Sequence, residues 1–367
     1  SNDSLRGIFS TIFQEHFSLT TTQLGLIVTA SYIGNLVFLL VGGNLSTRFS
    51  KKRVLQVLIL IWMAALALFA FTSNYTVLLI GMALALGSST LLNTTMNLIT
   101  PLLFATAPGF FVNFLFFTQE IGTSGSQYIL GSHADGFAFW QHTNLVLLIL
   151  GAVAFVLLLF CNVPEEAAAP ADAPAQKGGY DWRIIVPYVL VFGFYFIAEH
   201  GVMNWMVAYG VDGLGLPQAS AAKYLSVFFG GMMIGRLCLS PLVDKLGALK
   251  SLAAFGGVSC VLYLIGSLGG AVTMPVWAIS GLSFSILYPT LVMSIRLYFP
   301  AQQVSGAAGT ILSIASLADI LFNVGFGKLV DMTGYAVSIR VLPLSALAFF
   351  IVFILFTKFC KPTQKLK

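Results

Sequence analysis

The apolar residues of this chain are grouped in long runs of about 20 residues, the length that an α-helix needs to cross the hydrocarbon core of a bilayer. Eleven such runs predict transmembrane helices. Their limits are residues 24–46, 54–72, 77–100, 110–131, 143–161, 184–210, 220–243, 249–269, 272–297, 303–328 and 338–359. Most loops between them are a few residues long, so we expect neighbouring helices to run antiparallel.

The residues before the first run also have a helical pattern. Leu5, Ile8, Phe9, Ile12 and Phe13 follow the i, i+3, i+4, i+7, i+8 spacing of one helical face. We therefore expect these residues to be the last turns of a further helix whose first part is missing from the chain. With this helix as number 1, the sequence predicts an all-α integral membrane protein of twelve helices. A basic start and a small-residue cleavage site, which a signal peptide needs, are not found here.

Composition supports the membrane assignment. Hydrophobic residues make up 58% of the chain and charged residues only 8%, whereas about a quarter of the residues are charged in soluble proteins. The cysteines lie within or at the ends of apolar runs and lack metal-ligand spacing, so we expect neither a metal site nor a disulfide framework. They are Cys161, Cys238, Cys260 and Cys360.

The net charge of +5 is explained by topology. The basic residues that cluster in loops all fall on one side of a twelve-helix arrangement, which the positive-inside rule identifies as the cytoplasm. These residues are Arg48, Lys51, Lys52, Arg53, Lys177, Arg183, Lys245, Lys250, Lys358, Lys361, Lys365 and Lys367. Both termini are therefore predicted to be cytoplasmic, and nucleic acid is not an expected partner.

The chain divides into two similar parts. Residues 1–161 form a predicted N-terminal half, 162–183 an Ala- and Pro-rich linker, 184–359 a C-terminal half and 360–367 a tail. A shift of 197 positions, the difference between Gly34 and Gly231, also places Arg48 on Lys245 and Arg53 on Lys250. Parallel repeats of six helices are typical of transporters, with the substrate site between the halves near the midplane.

Four acids lie inside apolar helices, namely Asp3, Glu120, Glu199 and Asp319. A charge at the centre of a membrane helix costs about 2.5–3.5 kcal/mol on insertion scales, so such residues usually serve ion, proton or substrate pathways. The repeat places Glu199 and His200 on Asn2 and Asp3. All four acids are therefore candidates for proton coupling.

Each acid has an alternative role. Asp3 is the best candidate for a protonation switch, because desolvation favours the neutral carboxyl group, but an ion pair with Arg6 is also possible. Glu199 could bind a substrate hydroxyl or exchange protons with His200, or an internal hydrogen-bonded pair could hold helix 7 against helix 11. Glu120 faces the cavity or pairs with a basic residue of the other half. Asp319 is a candidate for an accessory proton site.

Neutral polar and aromatic residues near these acids suggest a hydroxylated ring as substrate. Aromatic rings can cover its CH faces, and amides can bind its hydroxyl groups. The candidate substrate-binding residues are Asn2, Asn93, Asn113, Phe116, Gln119, Glu199, Asn204, Trp205, Tyr288 and Asn323. Many aromatic residues of a membrane protein only pack against lipid or other helices, so each assignment competes with a structural role.

The loop "GGNLSTRFSKKR" resembles the G-x-L-x-D-R-x-G-R-R signature of the major facilitator superfamily, with Thr47 where an Asp is usual. The second half has an echo of it at Asp244, Lys245, Gly247 and Lys250. The resemblance covers essentially the whole chain and implies two six-helix halves related by a pseudo-two-fold axis. It assigns the signature and gating loop residues to Gly43, Arg48, Lys52, Arg53, Asp244 and Lys245.

Within that superfamily, the chain is similar to the fucose–proton symporter family of sugar transporters. The matching stretches are "NDSLRGIFSTIFQEHFSLTTTQLGLI", "AEHGVMNWMVAYGVDGLGL", "ASAAKYLSVFFGGMMIGR" and "SILYPT". The resemblance implies a proton-linked role for Asp3 and a substrate-facing one for Asn2.

The chain also departs from that family. Asn93 stands where the family has an acid on helix 4, and Phe116 replaces its sugar-binding Gln. Asn113 matches the family's spacing on helix 5, while Gln119 takes the place of an Asn. Asp319 occupies a position where the family has Gly.

Sequence motifs of zinc enzymes, nucleophilic hydrolases and ATPases are not found in the chain, so neither enzyme activity nor a cofactor is expected. We predict a monomeric secondary transporter of a bacterial inner membrane, surrounded by lipid. It would import a small polar solute, a sugar or sugar derivative, by proton-coupled symport with alternating access. A proton-driven efflux antiporter and a non-transporting substrate sensor on the same fold are the alternatives.

Overall fold

A computed structural model describes residues 2–46, 49–103, 108–163 and 181–362, and these residues form helices joined mostly by short turns. We number the helices α1–α12 in chain order and give one number to helical segments that follow one another directly. In the first half, α1 consists of Asn2–Ile8 and Ser10–Phe17, followed by α2 (Thr21–Ser46), α3 (Lys51–Phe71), α4 (Tyr75–Leu103), α5 (Pro108–Gly131) and α6 (Phe137–Phe160).

The second half begins with α7 (Trp182–Ala208), which continues into a π-helical turn (Tyr209–Gly213). It goes on with α8 (Gln218–Leu246), α9 (Ala248–Leu268), α10 (Met274–Ile279, Gly281–Phe284 and Leu287–Ser294), α11 (Ala301–Thr333) and α12 (Tyr335–Ser338 and Val341–Phe359). The eleven predicted spans all fall on these helices.

Local chemistry explains where some helices begin or break. The Asp181 carboxylate accepts a hydrogen bond of 2.9 Å from the Arg183 N–H and so caps the start of α7. In α10 a break at Ser285 and Ile286 comes just before Pro289, which has no N–H to continue the ladder of backbone bonds. Pro289 therefore accompanies an interruption of the helix on its N-terminal side.

The exposed surface confirms the prediction of an integral membrane protein. Nine helical segments in the described part of the chain are long and apolar enough to cross a membrane. Large apolar side chains on α6 and α11 point outward, among them Leu157, Phe160 and Leu321. In a soluble protein so much exposed apolar surface would be an aggregation hazard, whereas lipid solvates it well.

The two halves repeat one internal packing arrangement. In the first half, Gly34 on α2 lies directly against the Ala83 backbone on α4. In the second, Gly231 on α8 is packed so that a Cβ there would lie 2.9 Å from the Leu282 nitrogen on α10. Only glycine allows such close contact between helix backbones, so the pair that set the 197-residue register occupies equivalent places.

One end of the bundle contains the turns α1–α2, α3–α4, α5–α6, α7–α8, α9–α10 and α11–α12, and we call it the Thr21 end. The Tyr75 hydroxyl at the start of α4 donates a hydrogen bond of 2.8 Å to the Gln23 carbonyl of α2. By the charge pattern of the loops, the Thr21 end is the predicted extracellular side.

Candidate functional site

A buried acid–histidine pair lies in the middle of the bundle. His200 on α7 and Asp319 on α11 are joined by a 2.6 Å contact between imidazole Nδ1 and carboxylate Oδ2. The Asp319 side chain is only 2% exposed, whereas that of His200 is 24% exposed. An isolated buried carboxylate would be very costly in a membrane, and this bond to a polar partner reduces the cost.

Three further polar side chains of the same half extend this pair. The Asn323 amide donates to the Asp319 backbone carbonyl at 2.9 Å and to its carboxylate Oδ1 at 3.3 Å. The Asn323 oxygen accepts from the Trp205 indole at 3.0 Å and, more weakly, from the Asn204 amide at 3.5 Å. Three contacts of this network, made by His200, Asn204 and Trp205 of α7, therefore bind α7 to α11.

The N-terminal half reaches this network through α1 and α2. The Tyr32 ring stacks on the His200 ring with a centroid separation of 5.4 Å, and its hydroxyl lies 3.5 Å from the Asn204 amide. The Arg6 guanidinium, which is 4% exposed, lies 5.1 Å from the centre of the same Tyr32 ring. The pair is therefore built within one half but is contacted by the other half.

Glu199 has a different environment, although it is adjacent to His200. Its carboxylate interacts electrostatically with the hydroxyl groups of Tyr195, Tyr263 and Tyr288, and Arg236 acts on Tyr195 and Tyr288. Successive residues of a helix point about 100° apart, so Glu199 faces the interior of the C-terminal half. Of these two neighbours, His200 is the one that bonds to α11.

The halves are also held together at the Thr21 end. The Asp331 carboxylate of α11 accepts hydrogen bonds from the backbone N–H groups of Thr21 and Thr22 at 2.7 Å each, and from the Thr22 hydroxyl at 2.5 Å. A carboxylate at a helix N-terminus satisfies free N–H groups and complements the helix dipole. Here the cap of α2 comes from the other half of the protein.

Two more pairs of helices join the halves. The Gln218 amide of α8 donates to the Ile8 carbonyl at 2.5 Å, next to the break in α1, and its oxygen accepts from the Thr11 hydroxyl at 3.0 Å. Ser124 on α5 and Ser226 on α8 each donate to the other's backbone carbonyl, at 3.1 and 2.9 Å.

Glycines bring the helices of the two halves into backbone contact. Gly7 lies against the Met203 carbonyl and Gly327 against the Thr21 carbonyl, and a Cβ at Gly25 would lie 2.5 Å from the Asn323 carbonyl oxygen. We call these contacts, together with those of Asp331, Gln218 and Ser124, the seam.

Several predicted site residues lie outside the side chains that the structure describes. They are Asn2, Asp3, Gly43, Arg48, Asn113, Phe116, Glu120 and Asp244, and their roles stay predictions. Of the loop residues that are described, Lys52 donates to the Leu159 carbonyl at 2.9 Å, and Arg53 and Lys245 are exposed.

The described substrate candidates form two groups. Gln119 is exposed, and Asn93, Glu199 and Tyr288 are partly exposed. Asn204, Trp205 and Asn323 are almost completely buried in the network with Asp319. In this conformation the second group lies in the protein interior, whereas the side chains of the first group are at least partly exposed.

The contacts between helices at this site are not predicted by the sequence. The sequence suggests Asp319 as an accessory proton site and His200 as a partner of Glu199, whereas the structure joins Asp319 to His200. Tyr32 and Asp331 are not among the predicted site residues, and Arg6 is predicted only as a partner of Asp3. All of these contacts join distant helices, and no spacing rule within one helix predicts them.

Comparisons with known proteins agree with this architecture. The sequence profile of the Major Facilitator Superfamily matches residues 1–318. The chain is 24% identical to the L-fucose-proton symporter of Escherichia coli strain K12 over 79% of its own length and 75% of that protein. It is 27% identical to the glucose/galactose transporter of Brucella abortus biovar 1 (strain 9-941), covering 87% of this chain and 81% of the relative. It is 26% identical to the hexuronate transporter of Bacillus subtilis strain 168, with 90% and 84% covered.

Solved structures show the same fold. A Major Facilitator Superfamily transporter, FucP, crystallised in the outward conformation, matches with a TM-score of 0.65 at 20% identity over 97% of both chains. The D-xylose-proton symporter matches with a TM-score of 0.74 at 16% identity, covering 99% of this chain and 94% of that one. At these identities the likeness concerns the fold alone.

Proposed function

Because the chain belongs to the major facilitator superfamily, whose members are membrane transporters and not enzymes, we propose that it moves a sugar or sugar derivative by proton-coupled symport. Three relatives support this class of substrate, since they are named for L-fucose, for glucose and galactose, and for hexuronate. The first of them is also named as a proton symporter.

The observation that carries the proposal is the buried polar network between Arg6, Tyr32, His200 and Asp319 where the halves meet. Ionisable groups in the middle of a membrane protein are expensive and usually act in ion, proton or substrate pathways. A network that contains an acid and a histidine can hold a proton, and its position at the boundary allows this proton to affect the movement of the halves.

The seam supports transport by alternating access. In this conformation it joins the halves between the middle of the bundle and the Thr21 end, where Asp331 caps α2. Movement of one half against the other around a central site is the usual mechanism of transporters with repeats. Under the predicted topology, with both termini cytoplasmic, transport requires this extracellular end to open and close once in each cycle.

The proposed substrate site combines described and undescribed residues. Asn93, Gln119, Glu199 and Tyr288 are at least partly exposed and offer amide, carboxylate and hydroxyl groups. Asn2, Asn113 and Phe116 complete the predicted set, and Asp3 remains the predicted coupling acid. Amides and carboxylates suit sugar hydroxyls, because each can make more than one hydrogen bond to them.

The first experiment is counterflow of a panel of labelled hexoses in proteoliposomes, with the wild type beside Asp3→Asn. Counterflow requires no ion gradient, so it measures binding and reorientation separately from proton coupling. We expect the wild type to exchange a hexose and to accumulate it under a pH gradient. We expect Asp3→Asn to keep exchange and to lose accumulation.

Other outcomes would change the proposal. If neither protein exchanges any hexose, the assignment to sugars is wrong, and the replacement of the family's Gln by Phe116 becomes the better guide to the substrate. If the wild type exports the solute when protons enter, the protein is an antiporter. If solutes bind but none crosses the membrane, it is a sensor.

A further inference from the structure

The His200–Asp319 pair has one partner that is shielded and one that is accessible. Asp319 is 2% exposed, and both of its carboxylate oxygens have a partner. Oδ2 lies 2.6 Å from His200 Nδ1, and Oδ1 accepts from the Asn323 amide at 3.3 Å. His200 is 24% exposed. Its Nε2 makes no hydrogen bond to another residue in the described part of the chain. A proton can therefore reach the pair at His200 Nε2.

Protonation changes the net charge of the His200–Asp319 pair by one unit. With a neutral imidazole, Nδ1–H donates to the ionised carboxylate, Nε2 keeps a lone pair, and the pair carries one negative charge. When a proton binds to the Nε2 lone pair, an N–H bond forms, no bond breaks, and the pair becomes neutral overall. Histidine is the side chain best suited to this step, because its ordinary titration lies between about pH 5 and 8.

The charged groups around His200 come from both halves. Asp319 on α11 and Glu199 on α7 belong to its own half, whereas Arg6 on α1 belongs to the other, and all three interact with it electrostatically. The Phe196 and Tyr32 rings stack on its ring at 5.3 and 5.4 Å. The Arg6 guanidinium therefore faces a pair with one negative charge before protonation and a neutral pair afterwards.

We propose that the His200–Asp319 pair is a proton-binding site that couples the proton to movement of the halves, in addition to Asp3, with His200 Nε2 as the atom that binds the proton. The inference rests on the proposed function and identifies one of its sites. Loss of the negative charge weakens the attraction between the pair and Arg6 of the other half. Binding of a proton therefore changes the relative free energies of the joined and separated arrangements of the two halves.

The test compares Asp319→Asn and His200→Gln with the wild type and with His142→Gln. His142 is an exposed histidine on α6, so its replacement is the matched control. We expect the two site variants to exchange labelled hexose in counterflow and to lose accumulation under a pH gradient. The control should retain both activities. Accumulation at the wild-type level by Asp319→Asn and His200→Gln would overturn the inference and leave the proposed function intact.

A second measurement does not depend on transport. The chain contains four histidines, so ¹⁵N-histidine NMR of the purified wild type gives few signals, and the one missing in His200→Gln belongs to His200. We expect this signal to shift with pH as the imidazole gains and loses a proton. In Asp319→Asn its midpoint should move by about one pH unit or more.

The two proposals can fail separately. A wild-type protein that accumulates no sugar contradicts the proposed function, and the NMR titration still decides whether the pair binds a proton. If the chemical shift of His200 does not change with pH, the pair is not a proton-binding site, whatever the transport assay shows.

Discussion

Asp319 and Asp331 lie on the same helix, twelve residues or about 18 Å apart, and they hold different parts of the protein together. Asp319 is buried and bonds to His200 of its own half, whereas Asp331 is exposed and bonds to the first N–H groups of α2 in the other half. When the halves move apart, the first bond can stay intact, but the second must break. Asp319 therefore stabilises the C-terminal half in every conformation, whereas Asp331 stabilises only the conformation in which the two halves are joined at the Thr21 end.

The largest effect should follow from a change to the buried contacts of Asp319. In Asn323→Leu, the Trp205 indole loses its acceptor and the Asp319 carboxylate loses a donor. Each buried group left without a partner costs about 1–3 kcal/mol. We expect a marked fall in the thermal unfolding midpoint in detergent. Ser313→Ala, at an exposed position on the same helix, should change stability by no more than about 0.5 kcal/mol, and equal midpoints for the two variants would contradict the network.

The next effect should appear at the seam, beside Asp331. A Cβ at Gly327 would press on the Thr21 carbonyl group, while at Gly325, two residues away, it would meet no atom within 4 Å. Overpacking of this kind costs about 1–3 kcal/mol. Here it destabilises only the conformation in which the two halves are in contact at the Thr21 end. We expect Gly327→Ala to shift the equilibrium toward separated halves by about 5- to 150-fold and Gly325→Ala to leave it unchanged.

Spin labels can measure this shift. Ser73 and Ala336 are exposed at the Thr21 end, one on each half, and the distance between labels at these two positions reports opening. Cys161 and Cys238, which are exposed, and Cys360 are first replaced by Ser. If Gly327→Ala has the same distance distribution as Gly325→Ala, this close contact does not hold the halves together.

Removal of the cap itself should have the smallest effect. Asp331→Ala removes the acceptor of three hydrogen bonds, and loss of an N-terminal cap costs about 0.5–2 kcal/mol. Asp331→Asn keeps one acceptor oxygen and loses the charge, which is worth about 0.3–1 kcal/mol at a helix end. The same spin-label pair should show more opening in Ala than in Asn. Asp135→Asn, an exposed acid at the same end, is the control and should behave as the wild type does.

The sequence predicts the helices well and their contacts poorly. Each helix follows from a run of apolar residues, because the cost of leaving backbone groups unpaired in lipid is a local property. The fold follows from the repeat, and Gly34 and Gly231 show that the repeat holds in three dimensions. The partners of polar residues depend on how helices pack, and that information is not contained in any one segment.

His200 shows this limit most clearly. In the sequence it stands beside Glu199, so the two were expected to act together, but neighbours on a helix do not face each other. Its hydrogen-bonded partner is Asp319, 119 positions away. The apolar surroundings of Asp319 make the residue a candidate in the sequence, and the packing of α7 against α11 shows that it interacts with His200.

The cap that Asp331 provides for α2 has a consequence for hydration. When the Thr21 end closes, the carboxylate and the N–H groups of Thr21 and Thr22 exchange bound water for each other, and when it opens they take water up again. Opening is thus a reaction that consumes water, and excluded solutes such as sucrose oppose it by favouring the more compact state. Osmotic strength on that side of the membrane therefore acts on the conformational equilibrium of this protein, independently of any solute that it carries.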